Sequence, residues 1–291
     1  MTDEFDELFA RHDGAFAKAT LKSYKSDFRC YCRWCEQNGV APFEPTVQDI
    51  ANYVEFQAET CCCATVTRRL TTLATVFRLK QLEDPTVAPV ITLALKRMFR
   101  KKGRAQKQAI PLTHNVLDDL MAVCGESNRK IRDQVMLLLG YETMCRATEL
   151  CRFRFDDIEV LQNGKVGIRL IFFKTDQMGR GKLIGISAEF HTLLQRWRER
   201  VGGDGLILRS VDAFDNIGES LHSCSIKDRL RELQERAKLD LGGPLGSYSF
   251  RMGATRDMLD NGDSLTKIML RGGWPSQSAA MRYLRDWQLV R

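Results

Sequence analysis

A chain of 291 residues, 44% of them hydrophobic, exceeds one ordinary domain and has enough apolar material for two cores. Its formal net charge of +7 suits an anionic partner, and no apolar run approaches the length of a membrane-spanning helix, which excludes a helical membrane protein. The opening Met1-Thr-Asp-Glu-Phe-Asp-Glu7 is acidic and has no apolar core, so it does not read as a secretory signal, and a cytoplasmic setting is expected. Cysteines in such a chain are expected as reduced, mostly buried thiols. Cys30, Cys32 and Cys35 share one predicted helix, and Cys61, Cys62 and Cys63 are consecutive. Neither group has a second ligand pair or a nearby histidine at zinc-site spacing, so no metal and no cofactor is predicted.

Residues 18–37 carry Leu21, Tyr24, Phe28, Tyr31, Cys32 and Cys35 at three- and four-residue spacing. This predicts an amphipathic helix that stops at Asn38-Gly39, with Lys22 and Lys25 off its apolar stripe. Thr46-Val-Gln-Asp49 predicts a capping box opening a helix through about Glu59. A third helix, 64–80, buries Val66, Leu70, Leu73, Val76 and Phe77 and carries Arg68 and Arg69 on its other face. A fourth follows Pro85 and runs into Lys96–Lys107, which holds seven cations and no acid. That run reads either as a solvated linker or as a strap along a phosphate backbone, with Lys101, Lys102 and Arg104 as the contacts. The expected partition is a helical domain over 1–103, a basic linker over 104–108 and a second domain over 109–291.

Beyond the linker, Pro111-Leu-Thr113 starts helices over about 114–124 and 128–143, and a short one opens at Cys145. The period then changes: 154–160, 165–174 and 181–187 read as three short antiparallel strands, the first two joined through Asn163-Gly164. Helices resume at 188–200 and 224–238. Lys227, Arg229 and Arg231 lie on the latter as further candidates for DNA contact, although a solvated helix face would carry them as well. The last stretch, from Gly246, sets Arg251 at the head of a helix, Trp274 after a Gly-Gly turn and Tyr283 on a short final helix. They are spaced as if to surround one small anion.

These residues carry a family resemblance. Arg146-Ala-Thr-Glu149-Leu150 resembles the R-x-x-E-[LI] box of the tyrosine recombinases, the phage integrase family. Lys174-Thr175 resembles its β-hairpin lysine, Tyr248-Ser-Phe-Arg251 its H-x-x-R box, Gly272-Gly273-Trp274 its G-[HW] position and Tyr283 its nucleophile. The resemblance implies a mainly α protein, in which a helical core-binding domain is joined to an α/β catalytic domain with a small three-stranded antiparallel sheet, the two clamping DNA. It implies a site-specific recombinase that cuts and rejoins duplex DNA through a 3′-phosphotyrosyl intermediate. Its implied partners are double-stranded DNA with an inverted-repeat site and further copies of itself, in a synaptic tetramer. Its setting would be a bacterial cytoplasm, as a nucleoid-associated protein encoded by a host chromosome, plasmid or phage.

The chemistry fits the residue types. A metal-free transesterification needs cationic donors where charge builds up on the nonbridging oxygens, and Arg146 and Arg251 each offer a planar fork. Glu149, one turn from Arg146, is expected to orient the arginines. Lys174 is the expected general acid for the leaving 5′-oxygen, with Lys182 and Arg180 as rivals. Trp274 is expected to pack the nucleophile and donate to phosphate. Two departures stand out: Tyr248 occupies the histidine position, and eight residues follow Tyr283, where similar members carry a further helix that docks into a neighbouring subunit. They motivate two other readings, a DNA-binding protein with impaired catalysis and a type IB topoisomerase-like relaxer.

Overall fold

The apolar periodicities become helices packed in two compact units, Met1–Gln106 and Lys107–Arg291. The computed structural model describes residues 7–10, 14–104, 107–171, 181–281 and 283. Lys174 and Arg180 lie outside the described residues.

In the first unit, α1 (Lys18–Asn38), α2 (Val47–Thr60), α3 (Cys63–Leu79) and α4 (Pro89–Lys102) enclose one core. The Gly39 stop is realised as a left-handed cap at φ 67°. The capping box at Thr46 also forms: the Asp49 amide donates to the Thr46 hydroxyl at 3.1 Å, and the Thr46 amide donates to the Asp49 carboxylate at 2.8 Å. Tyr31, Trp34 and Tyr53 meet at ring separations of 5.1–6.4 Å and anchor α1 to α2. A carboxylate, Asp27, is buried in this apolar interior and is held by Arg68, Arg69 and Thr72.

The second unit is built around α6 (Asn128–Thr143), which follows α5 (His114–Ala122). Ile131, Val135, Met136, Leu137 and Leu139 are buried on several sides of α6, and Arg132 and Asp133 are buried among them, as in a helix packed all round. Around it lie α7 (Ala147–Leu150), α8 (Ala188–Arg200), α9 (Ser223–Arg236), α10 (Ser249–Asp260), α11 (Leu265–Gly272) and α12 (Gln277–Met281). The sheet has the order β1 (Ile158–Val160), β2 (Val166–Leu170), β3 (Lys182–Ile186), antiparallel throughout, with Ile158 opposite Ile168 and Ile168 opposite Ile184. Gly253 lets the backbone of α10 lie against the chain at Leu112, where an added Cβ would fall 1.6 Å from the Leu112 carbonyl oxygen.

Two boundaries differ from expectation. Residues 155–157 form a 3-10 turn rather than the start of a strand, because the Asp157 carboxylate accepts from the Arg154 amide at 2.7 Å and winds the chain locally. The final helix stops at Met281, and Tyr283 sits in the turn after it, its amide donating to Ala280 O at 2.9 Å.

Candidate active site

α6 ends on Met144, a buried residue in the left-handed region at φ 54°, which turns the chain sharply into Cys145 and Arg146. Arg146 then caps α7. Its amide donates to Glu149 Oε2 and its Nη1 donates to Glu149 Oε1, each at 2.7 Å. Glu149 is buried and Arg146 half-buried, so the acid fixes the backbone and guanidinium of one residue and leaves the rest of the fork open.

Arg251, on the first turn of α10, is only 2% exposed. Its Nη2 donates to Gly272 O at 2.6 Å, and its Nε is buried without an acceptor among the described residues. Its guanidinium carbon stands 4.9 Å from the Trp274 ring centre and 5.8 Å from that of Tyr283. Burial pushes Arg251 below the usual arginine range; Tyr283 opposes this and Arg146 adds to it. A buried donor without a partner in an apolar setting is costly, and an anionic oxygen at that point would relieve it.

The rings of Trp274 and Tyr283 lie 4.9 Å apart. Trp274 is buried with Met144, Ala254, Ile268 and Ala280, and Tyr283 packs on the rim of that cluster. The cluster thus ties the turn after α6, the helix of Arg251 and the segment of Tyr283 together. Tyr248, at the head of α10, is 52% exposed, and its side chain does not cap the helix.

Lys182, the first residue of β3, faces the same small cavity as Arg146, Glu149, Arg251 and Arg271. Its Nζ donates to Arg271 O at 2.7 Å and also to Leu270 O. Arg271 donates to Glu142 O at 2.6 and 3.0 Å and to Gly185 O at 3.1 Å. Arg271 was not among the predicted site residues, although it directly precedes the Gly272-Gly273-Trp274 box.

The candidate DNA-contacting cations divide into two groups. Lys22, Lys101, Arg104, Lys227 and Arg231 are exposed, and Lys25 is partly so. In the first unit a groove of about 810 Å³ is lined by Thr20, Ser23, Thr67, Arg68, Thr71 and Arg104. Lys102 is exposed and donates to Cys61 O at 3.0 Å, at the end of α2. Arg68, about half exposed, pairs with buried Asp27, and Arg69 and Arg229 are likewise paired within the fold. Arg69 is mostly covered, ion-paired with Asp27 and donating to Gln57 and Cys61. Arg229 is 11% exposed and donates to buried Asp133 at 2.6 and 3.2 Å, beside Arg132. Each neutralises a buried acid, and this accounts for its position without DNA.

Among the described residues no group of histidine, cysteine, aspartate and glutamate could hold a metal ion, and no helix is long and apolar enough to cross a membrane.

Comparison with known proteins adds an independent line. The model of the phage integrase family matches residues 111–288. The recombinase cre of Escherichia phage P1 is 26% identical over 301 residues, spanning 94% of this chain and 85% of that one. The Tn1549 transposon integrase, solved in complex with transposon right end DNA, superposes with a TM-score of 0.69 at 14% identity, covering 96% of this chain and 94% of that chain. A lambda integrase tetramer bound to a Holliday junction gives a TM-score of 0.65 at 15% identity, covering 95% of this chain and 77% of that chain.

Proposed function

The chain belongs to the phage integrase family, and we propose that it is a site-specific DNA recombinase whose nucleophile is Tyr283. One observation carries the assignment of the site. The buried Arg251 guanidinium, its Nε unpaired among the described residues, lies over the rings of Trp274 and Tyr283 and lines one small cavity with Arg146 and Glu149.

In this reading a DNA phosphodiester enters between the arginines and the tyrosine. The Tyr283 oxygen attacks phosphorus and gives up its proton. The bond to the 5′-oxygen breaks, and that oxygen takes a proton. The strand is left attached through a 3′-phosphotyrosine. Rejoining is the same step with a 5′-hydroxyl as nucleophile, so the number of phosphodiester-type bonds is conserved and no nucleotide hydrolysis is needed. Arg146 and Arg251 hold the nonbridging oxygens as charge builds on them. Glu149 keeps Arg146 in place, Trp274 fixes the tyrosine, and Tyr248, exposed at the head of α10, donates to the phosphate. Lys174 supplies the proton to the leaving oxygen.

The exposed cations of both units, together with Arg68 in its groove, hold the duplex, and Asp27 holds Arg68. Recombination requires two sites and therefore several copies, and the tetrameric lambda integrase complex is the model for that assembly. The protein works where bacterial, plasmid or phage DNA lies, in the cytoplasm.

The test is selection of bound sequences from a random duplex pool, followed by incubation of a plasmid carrying two copies of the selected site. Exchange between the sites is expected. Binding without any cleavage supports the DNA-binding reading instead, and relaxation without exchange supports a topoisomerase.

A further inference from the structure

The last carbonyls of a helix have no partner within it, and α11 ends in the middle of the site. Its last three carbonyls are taken by two cations from elsewhere in the fold. Lys182 holds Leu270 O and Arg271 O, and Arg251 holds Gly272 O. The Arg271 side chain runs back to Glu142 O and Gly185 O, at the end of α6 and on β3. Strand β3 and helix α11 are therefore joined twice just before the Gly272-Gly273-Trp274 turn, through the Lys182 and Arg271 side chains.

The charge environment makes Lys182 an expensive residue to keep. Its ammonium is held below the ordinary lysine range first by burial; Cys145 and Glu149 oppose the shift, and Arg271 and Arg251 add to it. Arg146 lines the same cavity. An amine set only to balance charge would do better away from these arginines. Among the described residues both hydrogen bonds of its Nζ go into the end of α11, not toward the unpaired Nε of Arg251.

We propose that Lys182 is a positioning residue: by gripping the end of α11 it presents Gly272 O to Arg251 and keeps Trp274 against Tyr283. This rests on the recombinase reading above. It separates Lys182 from Lys174, which serves as proton donor in that reading, and gives the two lysines different work. Arginine at 182 retains the reach and the charge to hold two carbonyls, whereas methionine retains only the length.

The test uses the full chain and a nicked duplex bearing its selected site, in two forms: the natural 5′-oxygen at the scissile phosphate, and a 5′-sulfur in its place. A thiolate leaves without needing a proton, so sulfur rescues loss of a general acid and does not rescue loss of positioning. Lys182→Met is expected to slow single-turnover adduct formation about 10- to 100-fold on both substrates with site affinity kept, and Lys182→Arg to recover to within about 5-fold of wild type. Should Lys182→Met fail to fold, as thermal melting would reveal, Lys182→Gln replaces it with the same expectation. Rescue by sulfur would make Lys182 the acid and overturn the proposal, and so would an unchanged rate in the methionine variant. An inert wild type on both substrates would overturn the recombinase reading itself, and this inference with it.

Discussion

Gly272→Ala sets two effects of known sign against each other. Gly272 lies in the last turn of α11 and has no positive φ, so alanine should by itself stabilise the helix by about 0.5–1 kcal/mol. The structure adds an opposing effect. A Cβ at this position would lie 2.2, 2.4 and 2.6 Å from three ring carbons of Trp274, roughly 1 Å inside ordinary contact. The ring has little room to retreat, being 8% exposed and backed by Arg251 and Tyr283 at 4.9 Å each. Overpacking of this kind costs about 1–3 kcal/mol, which outweighs the propensity gain and leaves a net loss of about 1–2 kcal/mol. A domain of this size should then melt roughly 2–8 °C lower. A shift of about 1 Å in Trp274 moves the tyrosine beside it, and such misplacement costs up to about 10²-fold in rate. The assay pairs thermal melting with single-turnover adduct formation on a nicked substrate. Gly246→Ala, where a Cβ meets open space, is the control and should change neither. A raised melting temperature with unchanged cleavage would refute the packing argument.

Three further outcomes are expected. DNA affinity should fall about 10³- to 10⁵-fold between ~50 and ~200 mM salt if six to ten phosphates are neutralised by the exposed cations, and a flat salt titration would exclude that mode of binding. Stability should fall as pH rises above ~9: burial pushes the Cys145 thiol up to about 12, so the folded chain keeps a proton that the unfolded thiol sheds near ~8.5. The loss is about 1.4 kcal/mol per pH unit from Cys145 alone, with Cys124 and Cys151, each pushed up to about 11, acting in the same sense and Lys182, shifted down, opposing below ~10.4; denaturant melts at pH 8 to 10.5 of wild type and Cys145→Ala measure it. Tyr248→Phe should slow cleavage about 10- to 100-fold, and Tyr248→His should support cleavage with a new pH dependence around ~6.5, both read by single-turnover rates.

Much of the fold was legible because local rules and burial agree. The α1 stripe, the Thr46–Asp49 capping box, the Gly39 stop and the helix over 128–143 each appear where spacing placed them. The boundaries that moved were decided by single side chains, such as Asp157 accepting from the Arg154 amide and so replacing the start of a strand with a turn. The mainly helical fold with its three-stranded antiparallel sheet was also legible, since the change from a 3.6 to a 2.0 period marks it.

The charges were harder to read. Arg69 and Arg229 sit on helix faces that look basic in sequence, but their acids, Asp27 and Asp133, are 42 and 96 positions away and belong to other helices. Nothing in a single sequence distinguishes a cation that meets solvent from one that meets a buried carboxylate across the core. The same holds for Lys182 and Arg271, whose acceptors are backbone carbonyls and leave no compositional trace.

The most direct test of the account is the identity of the covalent link. Wild-type protein is incubated with a suicide duplex nicked beside the cleavage position, the adduct is isolated and digested, and the modified peptide is sequenced by mass spectrometry. A 3′-phosphotyrosine on Tyr283 is expected, together with a Tyr283→Phe variant that binds the same site with near wild-type affinity but forms no adduct. A stable adduct from Tyr283→Phe, or one mapped to another residue in the wild type, would contradict it.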